Sequence, residues 1–221
     1  NGRWAKQRGL PRTAGHKVGA ETFRKIATYC KDLGVQYLTV YAFSTENWKR
    51  PADEVSTIMG LLKQYMLEAI DSMERDQIRL RFLGDLSTIS PELQALIEKT
   101  NEISSHIEGF QADVCLNYGG RDEILRAARA FARDCADGKA SPEALTEEGF
   151  GHYLYSDGIP DPDLIIRPSG ELRLSNFLLW QCAYAEFYFC DTLWPDFDER
   201  ALDAAIIDYQ KRDRRFGGVK A

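Results

Sequence analysis

Short apolar runs alternate with longer amphipathic segments along the chain. The apolar runs are rich in β-branched and aromatic residues and are typical of buried strands; they read YLTVYAF, IRLRFLG, ADVCLNY, DLIIRP and AEFYFC. Helical patterns lie before, between or after them, at residues 17–33, 52–74, 121–137 and 199–215. This alternation predicts an α/β fold with a mostly parallel central sheet wrapped by helices, and ligands bound at the carboxyl ends of the strands.

The first strand expected of such a fold does not occur before the first helical pattern. The sequence opens NGRWAKQRGLPRTAGH, a Gly-bearing stretch with three Arg residues and a Trp. We interpret NGRWAK as the loop that follows a strand. The strand itself is therefore expected upstream of Asn1, and the sequence is expected to be part of a longer protein.

Composition and charge favour one domain over residues 1–221 and argue against nucleic acid as its general binding partner. The chain has 221 residues, 44% of them hydrophobic, which is enough for one large core or two small ones. We favour one domain because no Pro-, Gly- or Ser-rich linker divides the chain. The net charge of -6 argues against a general nucleic-acid binder, which needs a broad basic surface.

The number of cysteines and the hydropathy of the chain indicate the cellular compartment of the protein. The five cysteines are odd in number and lack the pair spacing of a metal site, which favours a reducing intracellular environment. No apolar run approaches the roughly 20 residues that span a bilayer, and no secretory signal is visible. We therefore expect a cytoplasmic protein.

Polar and basic residues follow two of the predicted strands, where side chains rise into the crevice of an α/β sheet. The stretch after YLTVYAF holds Ser44, Thr45, Glu46, Asn47, Trp48 and Arg50. The stretch after DLII holds Arg167, Ser169, Gly170, Arg173 and Ser175, and the opening stretch adds Arg3, Arg8 and Arg12. Guanidinium groups and Gly-rich backbone amides match phosphate oxygens, so we expect a diphosphate ligand. The alternative is that each arginine is solvated surface charge.

The helical pattern at 52–74 carries a wider apolar surface than one buried stripe requires. Its apolar residues include Val55, Ile58, Met59, Leu61, Leu62, Tyr65, Met66, Leu67, Ala69 and Ile70. One interpretation is that part of this surface lines a cavity beside the diphosphate loops. Such a cavity would suit a ligand with a charged head and an apolar tail, for example a prenyl diphosphate. The other interpretation is an ordinary core helix, and both stay open.

Seven motifs occur in an order and spacing that resembles the cis-prenyltransferase family. They are NGRWA, GH, YAFSTENWKRP, NYGGR, RPSGELRLSNFLLWQ, AYAEFYF and WPDF, and the resemblance runs from Asn1 to RRFGG at residues 214–218. Several long motifs in the right order are far more specific than one Gly-rich match. The resemblance implies a single prenyltransferase domain with a hydrophobic tunnel, N-terminally incomplete. The essential magnesium-binding Asp of the family's opening motif would lie two residues upstream of Asn1.

The resemblance also implies roles for individual residues. The allylic diphosphate is expected at Asn1, Gly2, Arg3, Trp4, Arg12 and His16, and isopentenyl diphosphate at Arg167, Arg173, Leu174 and Ser175. Further substrate-binding residues are Ser44, Thr45, Glu46, Trp48 and Arg50. Asn47 is the expected catalytic residue; it orients the substrate or relays a proton, because a neutral amide is a poor base in water. Glu186 is the expected ligand of the cofactor Mg2+, which selects hard oxygen ligands.

The implied reaction is the repeated condensation of isopentenyl diphosphate onto an allylic, farnesyl-type diphosphate. The expected product is a long Z-polyprenyl diphosphate, the precursor of the lipid carrier for cell-wall glycan synthesis. The resemblance further implies a homodimer in which the RRFGG end reaches the neighbouring subunit's site. Peripheral contact with a membrane stays open, and no nucleic acid is expected as a partner.

Two alternatives come from other functional classes. One is a non-catalytic partner subunit of a cis-prenyltransferase complex, although such relatives have typically lost NYGGR or the strand-end arginines, which are present here. The other is a nucleotide-binding module, which would need a P-loop pattern that the sequence lacks.

The sequence departs from the family pattern at two positions: Pro168, where the family often has Thr, and Leu172, where the family often has a polar residue. Neither change removes an arginine or serine of the predicted isopentenyl diphosphate site.

Overall fold

The computed structural model describes residues 1–213 and has an α/β architecture with parallel strands flanked by helices. The five strands are β1 Tyr37–Ser44, β2 Ile78–Leu83, β3 Phe110–Tyr118, β4 Leu164–Arg167 and β5 Glu186–Phe189. Strands β1, β3 and β2 form one parallel sheet in that order, and β4 pairs with β5 in a second parallel sheet. The predicted fold class is confirmed, with its strands divided between two sheets.

The central strand β3 is buried along its whole length. Its apolar side chains at Ala112, Val114 and Leu116 face the core clusters, and it pairs with a neighbour on each side. A strand covered on both faces can be apolar almost throughout, which is why ADVCLNY was recognisable in the sequence.

Seven α-helices lie within the described residues. They are α1 Gly2–Gln7, α2 Arg12–Asp32, α3 Ala52–Asp76, α4 Pro91–Ser104, α5 Gly120–Ala136, α6 Glu147–Gly151 and α7 Glu199–Gln210. All four predicted helices are present, with shifted ends. Helix α2 begins directly after the extended Pro11, five residues before the predicted start at residue 17. Residues 214 and 215 of the last predicted helix lie outside the described part of the chain.

The opening stretch, predicted as a loop, forms the short helix α1. The Ala5 backbone N–H donates to the Asn1 carbonyl at 3.1 Å, and Ala5 is fully buried against α2. Helix α4 was not predicted. Its start had a readable signal, because Ser90 precedes Pro91 and its hydroxyl accepts the Leu93 backbone N–H at 3.3 Å.

Much of the wide apolar surface of α3 belongs to the core. Met66 is 2% exposed in a cluster with Phe43, Phe82 and Val114, and other α3 residues pack around that cluster. These are Val55, Ile58, Met59 and Leu62. Leu67 lies outside this contact and is 49% exposed. The core-helix interpretation therefore accounts for five of the ten apolar residues named above.

One buried carboxylate in β3 gives a testable link between pH and stability. Asp113 is fully buried and accepts a hydrogen bond from Gln111 at 2.7 Å. Burial raises its pKa from 3.8 to about 6, against the favourable charges of Arg81 and Arg79. Because the folded-state pKa lies above the unfolded value, ionisation of Asp113 destabilises the fold, and the full penalty applies above about pH 6. The penalty decreases as the pH falls from about 6 towards 3.8, where Asp113 is protonated in the folded protein.

Asp113→Asn is therefore expected to raise the free energy of unfolding by about 3 kcal/mol at pH 7.5 and by little at pH 4. Urea unfolding at several pH values measures this difference. An equal gain at both pH values would show that packing, and not charge, causes it.

Candidate active site

The turn after β1 lies at the carboxyl end of the three-stranded sheet. Residues Thr45–Lys49 form a 3-10 turn that begins where Ser44 pairs with Tyr118 at the end of β3. The Asn47 backbone N–H donates to the Ser44 hydroxyl, and the Ser44 backbone N–H donates to Asn47 Oδ1 at 3.1 Å. These reciprocal bonds cap the turn and hold the Asn47 amide in one orientation.

Trp48 is anchored to the neighbouring strand. Its indole N–H donates to Asn117 Oδ1 at 2.7 Å, and its ring meets Phe43 edge-on with ring centroids 5.0 Å apart. Asn117 has a left-handed backbone (φ 47°), and its amide group donates to the Thr88 hydroxyl. The Trp48 side chain stays 43% exposed, so it can contact a ligand at the mouth of the site.

A buried carboxylate gathers three basic side chains beside this turn. Glu54 lies in the first turn of α3 and is only 6% exposed. It binds Arg12 Nε at 2.9 Å, Arg50 Nη1 at 3.1 Å and His16 Nε2 at 3.2 Å. We call Glu54, Arg12, His16 and Arg50 the Glu54 cluster. Its contacts join the start of α2 to the start of α3.

Burial and charge oppose each other in the Glu54 cluster. Burial lowers the pKa of His16, and the Glu54 carboxylate offsets this only in part. Burial raises the pKa of Glu54, but the hydrogen bonds from His16 and Arg12 and the nearby positive charges hold it below its usual value. At neutral pH we expect an ionised Glu54, a neutral His16 and two guanidinium groups. This net positive charge suits an anionic ligand.

Two glycines of α2 leave room for the opening residues. A Cβ at Gly15 would lie 2.2 Å from the Asn1 carbonyl oxygen, and one at Gly19 would lie 2.4 Å from Asn1 Oδ1. The Asn1 amide nitrogen is 3.4 Å from His16 Nδ1. The structure thus brings together four residues of the predicted allylic site, Asn1, Gly2, Arg12 and His16.

Trp4 is tied to a different part of the fold. Its indole N–H donates to Asp196 Oδ1 at 2.6 Å, while Arg8 lies over the indole ring at 4.3 Å and binds the same carboxylate at 3.1 Å. In the same turn, Trp194 donates to the Gly19 carbonyl at 2.8 Å. Trp4 and Arg8 therefore fix α1 to the turn Trp194–Asp196.

A second carboxylate links α1 to the segment after β4. Glu171 binds Arg3 at 3.2 Å and also contacts Arg173. At the end of β4, Arg167 donates to the Ser175 hydroxyl at 3.3 Å. We call Arg3, Arg167, Glu171, Arg173 and Ser175 the Glu171 cluster.

Like charges stand close together in the Glu171 cluster. Burial and the positive charges of Arg173 and Arg3 lower the pKa of Arg167, and Glu171 counteracts them. Arg173 is exposed and its neighbour Leu174 is half-buried. Because a bound anion would relieve the repulsion among the guanidinium groups, this cluster is also suited to a diphosphate.

The remaining predicted residues of the turn, Thr45 and Glu46, face the start of α5. A Cβ at Gly119 would lie 2.7 Å from Thr45 Oγ1, and Glu46 Oε1 accepts a hydrogen bond from Asn176 at 2.9 Å. A cavity of about 190 Å³ opens beside this contact, lined by Glu46, Arg121, Asn176 and Leu179.

Glu186 lies apart from these clusters. It begins β5 opposite Leu164, three register positions from the pair formed by Arg167 and Phe189. Its carboxylate binds Arg212 at 2.8 Å. Since parallel strands place residues 186 and 167 at opposite ends of the small sheet, one chain does not bring the predicted metal ligand to the Glu171 cluster.

Residues 1–213 hold neither a ready metal cluster nor a membrane-spanning helix. No group of three or more His, Cys, Asp or Glu side chains in this part of the chain is arranged to hold a metal ion. No helix in the same residues combines the length and apolar composition needed to cross a bilayer. The RRFGG segment, predicted to reach a neighbouring subunit, lies at 214–218, outside the described residues.

Sequence reasoning missed four residues that organise the site, namely Glu54, Asn117, Glu171 and Asn176. Two had a local signal. Glu54 follows Arg50 at helical i,i+4 spacing, and Glu171 stands between two arginines of the strand-end segment. The two asparagines act through left-handed backbone and long-range hydrogen bonds, which no spacing rule reveals.

Known proteins resemble this chain over almost its whole length. A family model described as "Putative undecaprenyl diphosphate synthase" matches residues 1–217. An isoprenyl transferase of Clostridium perfringens is 52% identical over 220 residues, covering 100% of this chain and 87% of that protein. One from Agrobacterium fabrum is 48% identical over 219 residues, covering 99% and 89%.

Solved structures show the same fold. Lavandulyl diphosphate synthase from Lavandula x intermedia, in complex with dimethylallyl diphosphate, has a TM-score of 0.94 at 34% identity and covers 98% of this chain and 93% of its own. A structure described as a probable undecaprenyl diphosphate synthase from Campylobacter jejuni has a TM-score of 0.80 at 38% identity, covering 91% and 93%. With the family model and the close relatives, these likenesses show that the chain belongs to the undecaprenyl diphosphate synthase family of isoprenyl transferases.

Proposed function

We propose that the protein condenses isopentenyl diphosphate onto an allylic, farnesyl-type diphosphate at the carboxyl end of β1 and β3. The observation that carries this proposal is the pair of basic clusters joined by the opening residues. Asn1 contacts the Glu54 cluster, and Arg3 belongs to the Glu171 cluster. Each cluster keeps an arginine accessible, with the side chains of Arg12 and Arg173 59% and 65% exposed. Two neighbouring diphosphate sites are what a condensation requires.

In this proposal the Glu54 cluster, with Asn1 and Gly2, binds the allylic diphosphate. The Glu171 cluster binds isopentenyl diphosphate. This assignment moves Arg3, which the resemblance assigns to the allylic diphosphate, to the isopentenyl side, because Arg3 pairs with Glu171. During condensation, the bond between allylic C1 and its diphosphate oxygen breaks, and the isopentenyl double bond attacks C1. Loss of a proton then gives a new double bond. The guanidinium groups stabilise the charge that develops on the departing diphosphate, and they are oriented in advance by Glu54.

Asn47 orients the isopentenyl group in this scheme. Its amide oxygen is held by the Ser44 backbone N–H, and the amide itself is too weak a base to take the proton in water. An oxygen of the departing diphosphate accepts the proton, directly or through the Asn47 amide.

Magnesium dependence is part of the proposal, with Glu186 as one oxygen ligand. A carboxylate is the kind of ligand that Mg2+ prefers, and bound Mg2+ would neutralise charge on the leaving diphosphate. Within one chain, however, Glu186 is bound to Arg212 and lies at the opposite end of the small sheet from Arg167. Residues 1–213 of a single chain therefore do not fit a complete magnesium site.

We also propose a homodimer, because Glu186 and its partner Arg212 lie at the end of the small sheet that the clusters of their own chain do not use. The aromatic side chain of Tyr184, two residues before Glu186, is 67% exposed. A two-fold contact that covers it would agree with the family resemblance, which implies that the RRFGG segment at 214–218 reaches the partner's site. A cytoplasmic location, peripheral membrane contact and a role in supplying the cell-wall lipid carrier belong to the proposal as well.

A long product would need an apolar tunnel, which we place beside α3. Ala69 is half-buried on this helix, and Ala42 is exposed on β1. Ala69→Phe is expected to shorten the products while leaving the first condensation nearly unchanged, because the diphosphate clusters are untouched. Chromatography of the dephosphorylated products measures chain length. An unchanged length distribution would place the tunnel elsewhere.

Arg167 tests the assignment of separate sites. Arg167→Ala is expected to raise KM for isopentenyl diphosphate at least tenfold and KM for the allylic substrate less than threefold, since a charge-assisted bond contributes about 1.5–3 kcal/mol. Arg24, which pairs with Glu68 on the outer surface, is the matched control, and Arg24→Ala should change neither constant. Equal increases in both constants for Arg167→Ala would argue against two sites.

A further inference from the structure

Asn176 joins three segments of the site that are far apart in sequence. Its side-chain NH2 group donates to Glu46 Oε1 at 2.9 Å, and its Oδ1 accepts the Arg121 backbone N–H at 2.8 Å. Its own carbonyl accepts the Gly120 backbone N–H at 2.7 Å. Ser175, the preceding residue, binds Arg167. One residue thus connects the strand-end arginine segment, the start of α5 and the turn after β1.

The local backbone is built around this junction. Asn176 has a left-handed backbone with φ 64°, a conformation that Asn tolerates better than most residues. Gly119 lies directly against it, because a Cβ there would come within 2.8 Å of Asn176 Nδ2 and 2.7 Å of Thr45 Oγ1. The close approach of these three segments therefore depends on a glycine on one side and an asparagine on the other.

The hydrogen bond to Glu46 has a defined polarity. Burial raises the pKa of Glu46, but hydrogen bonds from the turn's own backbone and from Asn176 outweigh it and hold the pKa below its usual value. Glu46 is therefore an ionised acceptor at neutral pH, and residue 176 must be a donor on this side and an acceptor towards α5.

We propose that Asn176 is a positioning residue. It couples the segment after β4, which contains Arg173 and Ser175, to the turn Thr45–Lys49 and so holds Asn47 in the orientation needed for the reaction. The proposal rests on the proposed function, in which Asn47 and Ser175 contact the same substrate. Through Glu46, Asn176 holds the turn, and through its backbone neighbour Ser175 it is tied to Arg167.

Asn176→Asp tests the coupling with little change in shape. The new carboxylate still accepts the Arg121 backbone N–H but faces Glu46 with a second negative charge. We expect kcat to fall at least tenfold while KM for isopentenyl diphosphate changes less than threefold. The matched control is Gln64→Glu, because Gln64 makes the same amide-to-carboxylate bond to Glu68 on the outer surface of α3. The control should leave kcat unchanged.

Exchanging the donor and the acceptor between positions 46 and 176 should restore their hydrogen bond. In Glu46→Gln/Asn176→Asp the amide at 46 donates to the carboxylate at 176. The double variant should therefore recover at least threefold in kcat over Asn176→Asp. Additive losses in the two single variants, with no recovery in the double variant, would overturn the proposal.

Hydrogen exchange gives a readout that does not depend on activity. In Asn176→Asp the backbone amides of Thr45–Lys49 should exchange at least tenfold faster, and in the double variant they should return to within threefold of the unsubstituted protein. Unchanged exchange in Asn176→Asp would overturn the coupling whatever the activity. Absence of condensation by the unsubstituted protein would instead overturn the proposed function, and the exchange rates would still decide whether the segments are coupled.

Discussion

Glu54→Gln is expected to lower kcat/KM for the allylic diphosphate about 100-fold, a loss of about 2.7 kcal/mol. The carboxylate is 6% exposed and holds Arg12, Arg50 and His16 within 3.2 Å or less. Without its negative charge, two guanidinium groups lose the anchor that orients them towards a diphosphate. Steady-state kinetics with the allylic substrate varied measures this effect.

Glu68→Gln is the matched control on the same helix. Glu68 pairs with Arg24, and both side chains are well exposed, so this change is expected to leave the kinetics unaltered. A second readout is the titration of His16 by NMR. Because Glu54 raises the pKa of His16 against the lowering effect of burial, Glu54→Gln should lower that pKa further. An unchanged His16 pKa together with unchanged kinetics would remove Glu54 from the site.

Gly15→Ala is expected to raise KM for the allylic diphosphate at least tenfold. The added Cβ would lie 2.2 Å from the Asn1 carbonyl oxygen, which is backbone and cannot rotate away. The opening residues would have to leave α2, and Asn1 would move away from the Glu54 cluster. Substrate titrations measure the loss of affinity.

Gly60→Ala is the control for this prediction. Gly60 lies in the interior of α3, and a Cβ added there would meet open space, with no atom beyond its own helix backbone within 4 Å. The substitution should therefore only favour the helix, by about 1 kcal/mol. Activity should be unchanged in this variant. If Gly15→Ala behaved like Gly60→Ala, contact between Asn1 and α2 would have no part in substrate binding.

The parts of the fold that could be predicted from sequence are those with local patterns. Strand β3 is buried on both faces, and most of its residues are apolar, with Gln111, Asp113 and Asn117 as the polar exceptions. Helix α3 shows a long helical repeat. Helix α1 was missed because six residues give no measurable period. Its stability comes from contact with α2 through Ala5, which only the folded chain shows.

The site was predictable in its residue types and less so in its arrangement. The arginines after strands pointed to phosphate chemistry, but their carboxylate partners Glu54 and Glu171 depend on contacts between separate segments. The position of Glu186 could not be predicted for a different reason. The sequence places it in a strand, but only the parallel pairing of β5 with β4 shows that it lies at the end away from Arg167.

A condensation assay tests the proposed function most directly; it uses the purified full-length protein, which includes the residues expected upstream of Asn1, with farnesyl diphosphate, labelled isopentenyl diphosphate and Mg2+. The proposed function predicts labelled polyprenyl diphosphates that form only when the allylic substrate is present, carry Z double bonds by NMR, and diminish sharply in Arg167→Ala. Tight binding of both diphosphates without any carbon–carbon bond formation would contradict the account and would favour a non-catalytic subunit.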